Sequence, residues 1–212
     1  MTHILKSVSL SLALMLAVAP AALGLSIQPA IAQSPSGKPA DPAVTQVQDF
    51  YDALTASMKS GGTAKSRYDK LKPAIEKAFD LPAMTAIAVG PSWASLSEAD
   101  KKALIDAFTR MTVASYAKNF DSYDGEKFPV DPVPVARGSD KYVKSKLVGT
   151  ETHIFNYRMH QAGSEWKVID ILLEGNISQM AQKRSDFAST LSSGGPQALA
   201  KRINAVADQT LS

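Results

Sequence analysis

Residues 164–187 read Ser-Glu-Trp-Lys-Val-Ile-Asp-Ile-Leu-Leu-Glu-Gly-Asn-Ile-Ser-Gln-Met-Ala-Gln-Lys-Arg-Ser-Asp-Phe. The run Trp166 to Leu173 is rich in β-branched and aromatic residues and predicts a strand. Glu174-Gly175 stops it. From Ser178 the period changes to that of a helix, with Arg184 and Phe187 one turn apart. A strand leading straight into a helix sets the end of the fold. One residue disturbs the pattern: Asp170 lies in the middle of the apolar strand, where a carboxylate is costly unless it is hydrogen-bonded.

Immediately upstream, Thr152 to Gln161 alternates as a second strand, and Gln161-Ala162-Gly163-Ser164 predicts a hairpin with Ala162-Gly163 at its centre. That register pairs Phe155 with Asp170, Tyr157 with Val168, Met159 with Trp166 and His153 with Leu172. One face of the hairpin is then a large apolar surface with Asp170 inside it and His153 as its diagonal neighbour. A slip of one residue would exchange the two faces. Lys141 to Val148 and Val130 to Ala136 predict two further strands. Pro132 and Pro134 make the latter an irregular edge.

Upstream of the strands the chain is helical. Asp41-Pro42 has the form of an N-cap followed by proline at the first helical position. Val47, Phe50, Tyr51, Leu54 and Met58 keep helical spacing until Gly61-Gly62. A second helix carries Tyr68, Leu71, Ile75 and Phe79, with Pro73 inside it. Asp80 opens a third through Met84, Ile87 and Val89, ended by Gly90-Pro91. Ser97-Glu98-Ala99-Asp100 opens the longest, a near capping box, with Leu104, Phe108, Met111 and Ser115 on one face. Two helices close the chain: Ser178 to Leu191, then Pro196 to about Thr210 after Gly194-Gly195. Helices, then strands, then helices indicate an α+β fold with an antiparallel sheet.

The N-terminus has its own signature. His3 and Lys6 precede an apolar run from Val8 to Ala19, and Ala30-Ile31-Ala32 supplies a small-residue cleavage site. The run is shorter than the ~20 residues needed to span a bilayer. A cleaved secretory signal of 1–32, a flexible linker 33–42 and one domain from 43 to 212 are therefore expected. Cleavage after Ala32 leaves 180 of 212 residues, enough to bury an ordinary core. The whole chain has 23 basic and 20 acidic residues. That balance, with no basic stripe, argues against nucleic acid. No cysteine is present and only His153 and His160 follow the signal, so neither a disulfide framework nor a multi-histidine metal site can form. No phosphate loop or nucleophile elbow occurs, and no cofactor is implied.

The 164–187 block, together with Phe79-Asp80, Gly90-Pro91-Ser92-Trp93 and the helix from Ser97 to its Tyr116–Phe120 end, resembles the MlaC-type, toluene-tolerance family of periplasmic lipid-binding proteins. Within that family it is most similar to the hopanoid-associated HpnM branch. The resemblance runs from about Val44 to the C-terminus. It implies a curved antiparallel sheet of about four strands, similar to the ketosteroid-isomerase cone, packed against N- and C-terminal helices with a lipid cavity between. The lining expected for that cavity is Met84, Val89, Phe108, Met111, Tyr116, Phe120, Phe155, Tyr157, Met159, Val168 and Leu172. Asp170, His153 and Arg184 are its expected polar groups. Gly90-Pro91-Ser92-Trp93 reads as a hinge packed by Trp93.

The resemblance implies a non-catalytic monomer that shuttles a phospholipid or hopanoid-like lipid between inner and outer membranes. Its partners would be an inner-membrane transporter of ABC or RND type and an outer-membrane lipoprotein complex, with transient membrane contact. Two readings of the residues remain beside it. Asp170 and His153 could form an acid–base pair in a cone-fold enzyme acting on an apolar substrate. Alternatively the apolar face packs solid and the protein is an adaptor.

Overall fold

The computed structural model describes residues 40–212. The expected signal, its cleavage after Ala32 and most of the linker lie outside the described residues. Each predicted helix start has its cap. Asp41 accepts the amide of Ala43 at 2.9 Å and opens α1 (Pro42–Ser60). Thr63 accepts that of Ser66 for α2 (Ala64–Ala78), and Asp80 that of Ala83 at 2.9 Å for α3 (Leu81–Val89). A 3₁₀ segment, Gly90–Ser95, leads to α4 (Glu98–Asn119). There Ser97 accepts from the Asp100 amide and donates its hydroxyl to the Asp100 carboxylate at 2.7 Å. Orphan amides at helix starts are thus satisfied locally, which is why these boundaries can be read from sequence.

The sheet is an antiparallel meander of five strands in the order β1 (Val135–Arg137), β2 (Asp140–Val148), β3 (Thr152–Ala162), β4 (Glu165–Leu173) and β5 (Ile177–Ser178). It curls into a half-barrel. The first strand is shorter than expected and starts after both prolines. Before them the chain meets β2 only at isolated bridges, Lys127 with Val148 and Val130 with Ser145. Pro132 and Pro134 offer no N–H to continue the ladder. The fifth strand was not anticipated; two residues beyond Glu174-Gly175 return to pair with Leu172 and Leu173.

The β3–β4 register also differs from the expected one. The two-residue loop is Gly163-Ser164, so Ala162 pairs with Glu165 and Met159 with Val168. Gly163 has φ of 64°, the positive value that a II′ turn requires at its first central position and that an alanine there would resist. The same Gly-Ser dipeptide turns β1 into β2, where Arg137 pairs with Asp140. Beyond Met159 the ladder shifts again, and Arg158 stands opposite Asp170. Ile169 is the additional residue of this bulge. From there on Ile171 faces with Tyr157 and Leu173 with Phe155. Asp170 and Leu172 are turned to the other face of the sheet.

The terminal helix α5 (Gln179–Leu211) keeps the expected break: Gly195 leaves helical geometry at φ 72°, ψ −173°, and Pro196 starts the second arm. α5 packs on α4 and α3. Phe50, Leu54, Leu71, Ile75, Phe79, Leu104 and Phe108, all nearly inaccessible, form the core between the helices and the concave face of the sheet.

Candidate functional site

The core does not close completely. A cavity of about 520 Å³ remains between the half-barrel and the helices. Tyr51 and Leu54 come from α1, Phe79 and Met84 from the α2–α3 corner, and Phe108, Met111, Tyr116 and Phe120 from α4 and its end. The sheet contributes Leu147, Phe155, Tyr157, Ile171 and Leu173. Phe128 joins them from the segment before β1, and Met180 from the start of α5. The aromatic walls brace one another: Tyr116 stacks on Phe120 at 5.7 Å, and Tyr51 on Phe128 at 4.6 Å. A methylene is about as large as a water molecule, roughly 30 Å³ in the liquid. The space is therefore on the order of one long acyl chain.

Where the cavity meets solvent its walls become polar. Asn119, His153, Gln179 and Lys183 line that part, and the His153 and Lys183 side chains keep 45% and 38% of their exposure. His153 faces Glu174, with Nδ1 to Oε1 at 3.2 Å. Deeper in, Tyr157 donates to Tyr51 at 2.9 Å, and Tyr51 meets Ser145 at 2.7 Å. Burial pushes the ionisation of Tyr51, Tyr116 and Tyr157 upward, because a phenolate there would lose its water. A larger groove, about 750 Å³, lies over α2 and α4, but Lys72, Glu76, Asp80, Asp106, Arg110 and Lys167 line it. Walls of that kind hold water, whereas apolar ligands take apolar sites.

Of the expected lining, Met84, Phe108, Met111, Tyr116, Phe120, Phe155 and Tyr157 face the cavity, as does His153. Met159 and Val168 do not. They lie toward the hairpin tip, where Phe79 pairs with Val168 and the core is solid. Val89 is buried at the end of α3 without reaching the cavity. Leu172 is on the convex face because of the Ile169 bulge, and its places are taken by Ile171 and Leu173.

The three polar expectations fare differently from one another. Asp170 is buried at 6% exposure, but its carboxylate accepts from the Ile171 and Met180 amides at 2.8 and 3.1 Å and from the Ser178 hydroxyl. It anchors the start of α5 and does not meet His153. Arg184 donates through Nε and Nη2 to the Ile87 carbonyl at 2.9 and 2.7 Å, tying α5 to the end of α3. It is not a cavity residue. Lys183, its neighbour, is. Trp93 packs partly buried against the core beside the Gly90 corner.

Tyr51 and Leu54 were legible as part of the first amphipathic stripe, although nothing in that stripe marked them as lining. Ile171 and Leu173 could be found only by knowing the bulge. Among the described residues no group of acidic and histidine side chains could hold a metal ion, and no helix is long and apolar enough to cross a membrane.

A half-barrel that shelters an apolar cavity beneath helices, with a polar rim, defines a small-molecule cavity protein in which the sheet is the wall and the helices are the cover. The chain belongs to the MlaC protein family, whose profile matches residues 45–205. The match is to the family as a whole and does not single out the HpnM-like branch. Among solved structures it is similar to the phospholipid-binding protein from Ralstonia solanacearum, determined in complex with a phospholipid. The TM-score is 0.71 at 21% identity, over 81% of this chain and 100% of that one. No curated protein matches.

Proposed function

We propose that this protein is a periplasmic lipid carrier. It holds the apolar part of one membrane lipid, a phospholipid or a hopanoid-like molecule, in the cavity and moves it between the inner and outer membranes. The observation that carries this reading is the apolar cavity itself. The cavity of about 520 Å³ opens to solvent, so without a ligand its apolar walls are wet, and an apolar ligand that displaces this water gains the hydrophobic free energy of covering them. A fold that keeps such a space is built to have it filled. The family and the phospholipid-bound neighbour support the same ligand class.

The chemistry needed is desolvation alone, since each buried methylene contributes about 0.8 kcal/mol. Uptake and release then require the cover to open, a task for membrane partners: an inner-membrane transporter of ABC or RND type, and an outer-membrane lipoprotein complex. The catalytic alternative has little to stand on, because Asp170 is engaged at the start of α5 and His153 faces Glu174. Mass spectrometry of organic extracts from the purified mature protein tests the proposal. Stoichiometric membrane lipid is the expected result; a lipid-free protein that neither takes lipid from vesicles nor exchanges it would refute it.

A further inference from the structure

In the depth of the cavity the hydroxyls of Ser145, Tyr51 and Tyr157 serve the protein itself. Ser145 donates to the Phe155 carbonyl at 3.0 Å, Tyr51 meets Ser145 at 2.7 Å, and Tyr157 donates to Tyr51 at 2.9 Å. A charged head buried there would lose its water without gaining a counter-charge, so a lipid enters chain first and leaves its head at the mouth. Among the described residues that line the cavity, Lys183 alone carries a permanent charge. Its place is an odd one for a cation. Met180, Lys183 and Phe187 fall on one stripe of α5, and Met180 and Phe187 are both buried. The Lys183 ammonium faces the Asp186 carboxylate at 3.7 Å, beyond hydrogen-bonding distance, and donates to no other described group.

At Lys183 the cavity adjoins a second, smaller hollow of about 130 Å³ between the two arms of α5; Met111 and Lys183 line both spaces. Arg202 lines the hollow from the second arm, with Nη1 bonded to the Thr190 hydroxyl, and Asp186 is the single carboxylate on its described walls. At roughly 30 Å³ for a water molecule, the hollow has room for one phosphate or carboxylate group, set between two cations and one anion.

Resting on the lipid-carrier reading, we propose that Lys183 and Arg202 form a headgroup subsite in this hollow, and that Lys183 makes the carrier favour lipids of net negative head over zwitterionic ones. The chain of such a lipid fills the cavity past Met111 while its acidic group lies beside Lys183, whose three N–H donors have no protein acceptor to give up. A zwitterionic head brings its own cation against the same two side chains and loses part of the attraction. The site is open to water, so the preference is modest, about three- to tenfold in affinity.

The test uses the mature chain stripped of lipid and loaded with the uncharged dye N-phenyl-1-naphthylamine. Hexadecyl phosphate and hexadecylphosphocholine, which share chain and phosphate and differ in the added cation, displace the dye in parallel titrations below their micelle concentrations. Lys183→Met keeps an unbranched side chain on the apolar stripe and removes the charge; it should lower the phosphate-to-phosphocholine affinity ratio about three- to tenfold. Asp186→Asn should raise that ratio. In the wild type the ratio should fall as sodium chloride is raised, because salt screens an exposed charge. An unchanged ratio in a folded Lys183→Met overturns the subsite. So does a wild-type ratio indifferent to salt, a comparison that stands even if the variant fails to fold. Failure of both compounds to displace the dye would instead overturn the carrier reading, and the subsite with it.

Discussion

Tyr157 and Ile171 stand opposite one another in the β3–β4 ladder, and both face the cavity. They are brought together by the bulge at Ile169, which advances β4 by one residue and turns its last four positions over. The cavity wall on this strand is therefore Ile171 and Leu173, while Asp170 and Leu172 look the other way. Since successive side chains of a strand alternate between faces, this local shift can be tested by substitution.

Ile171→Trp should fill cavity space. Co-purified lipid should fall at least severalfold, with a thermal midpoint close to that of the wild type. Leu172→Trp, one residue on and on the convex face, should leave lipid content unchanged. Extracted lipid per mole of protein, with a melting curve for each variant, checks the pair. Loss of lipid from the Leu172 variant alone would place the bulge elsewhere.

Asp170 holds three donors at the start of α5. Asp170→Leu leaves them without their acceptor and should lower unfolding stability by about 2–3 kcal/mol. Asp170→Asn keeps one acceptor oxygen and should lose about half of that. Urea unfolding gives both numbers. Lipid content in the Asn variant should stay at the wild-type level, because the carboxylate supports the site without entering it.

Arg184 ties α5 to α3 through the Ile87 carbonyl, and a Cβ added at Gly90 would lie only 3.1 Å from its Nε. Gly90 also has φ of 78°, which resists a side chain. Removing the tie with Arg184→Ala should reduce stability by roughly 1 kcal/mol and speed transfer of a fluorescent lipid out of the protein, because α3 is part of the cover. Unchanged transfer at equal occupancy would show that the cover opens at another seam.

Three of the six tyrosines, Tyr51, Tyr116 and Tyr157, have their ionisation raised by burial. A group whose folded pKa lies above its unfolded value binds its proton more tightly in the folded state, so the stability it lends is fully present below the unfolded pKa, about 10, and is lost as pH rises beyond it. Unfolding stability should be level up to about pH 9 and then fall, by up to about 1.4 kcal/mol per pH unit for each of these tyrosines. Ultraviolet absorbance followed through alkaline pH should show Tyr51, Tyr116 and Tyr157 ionising only as the chain unfolds. Ionisation of these three in the folded protein would contradict the upward shift that burial gives them.

The helices were legible because their ends are local. Asp41, Asp80 and Ser97 satisfy amides two or three residues away, and Gly61 and Gly195 take backbone angles that end a helix, so a few residues suffice to define each boundary. The order of helices and strands, and with it the α+β class, followed from the change of hydrophobic period at Val130. Most of the helical lining was legible for the same reason: Met84, Phe108, Met111 and Tyr116 lie on stripes that can face only inward.

What tertiary structure alone decided lies in the sheet. A run such as Lys167-Val168-Ile169-Asp170-Ile171-Leu172 is apolar on both faces, so alternation does not say which side is inward. The choice was made by Gly163 at the first position of the turn, by the bulge at Ile169, and by the pairing of Phe79 with Val168 across 89 residues of chain. The partners of Asp170 and Arg184 were hidden likewise. An unpaired charge in a sequence announces only that it needs a partner, and which backbone amide or carbonyl meets it depends on how α5 and α3 come to lie together. Whether the apolar face packs solid or holds a cavity was decided there as well, by the distance that the curled sheet keeps from the helices above it.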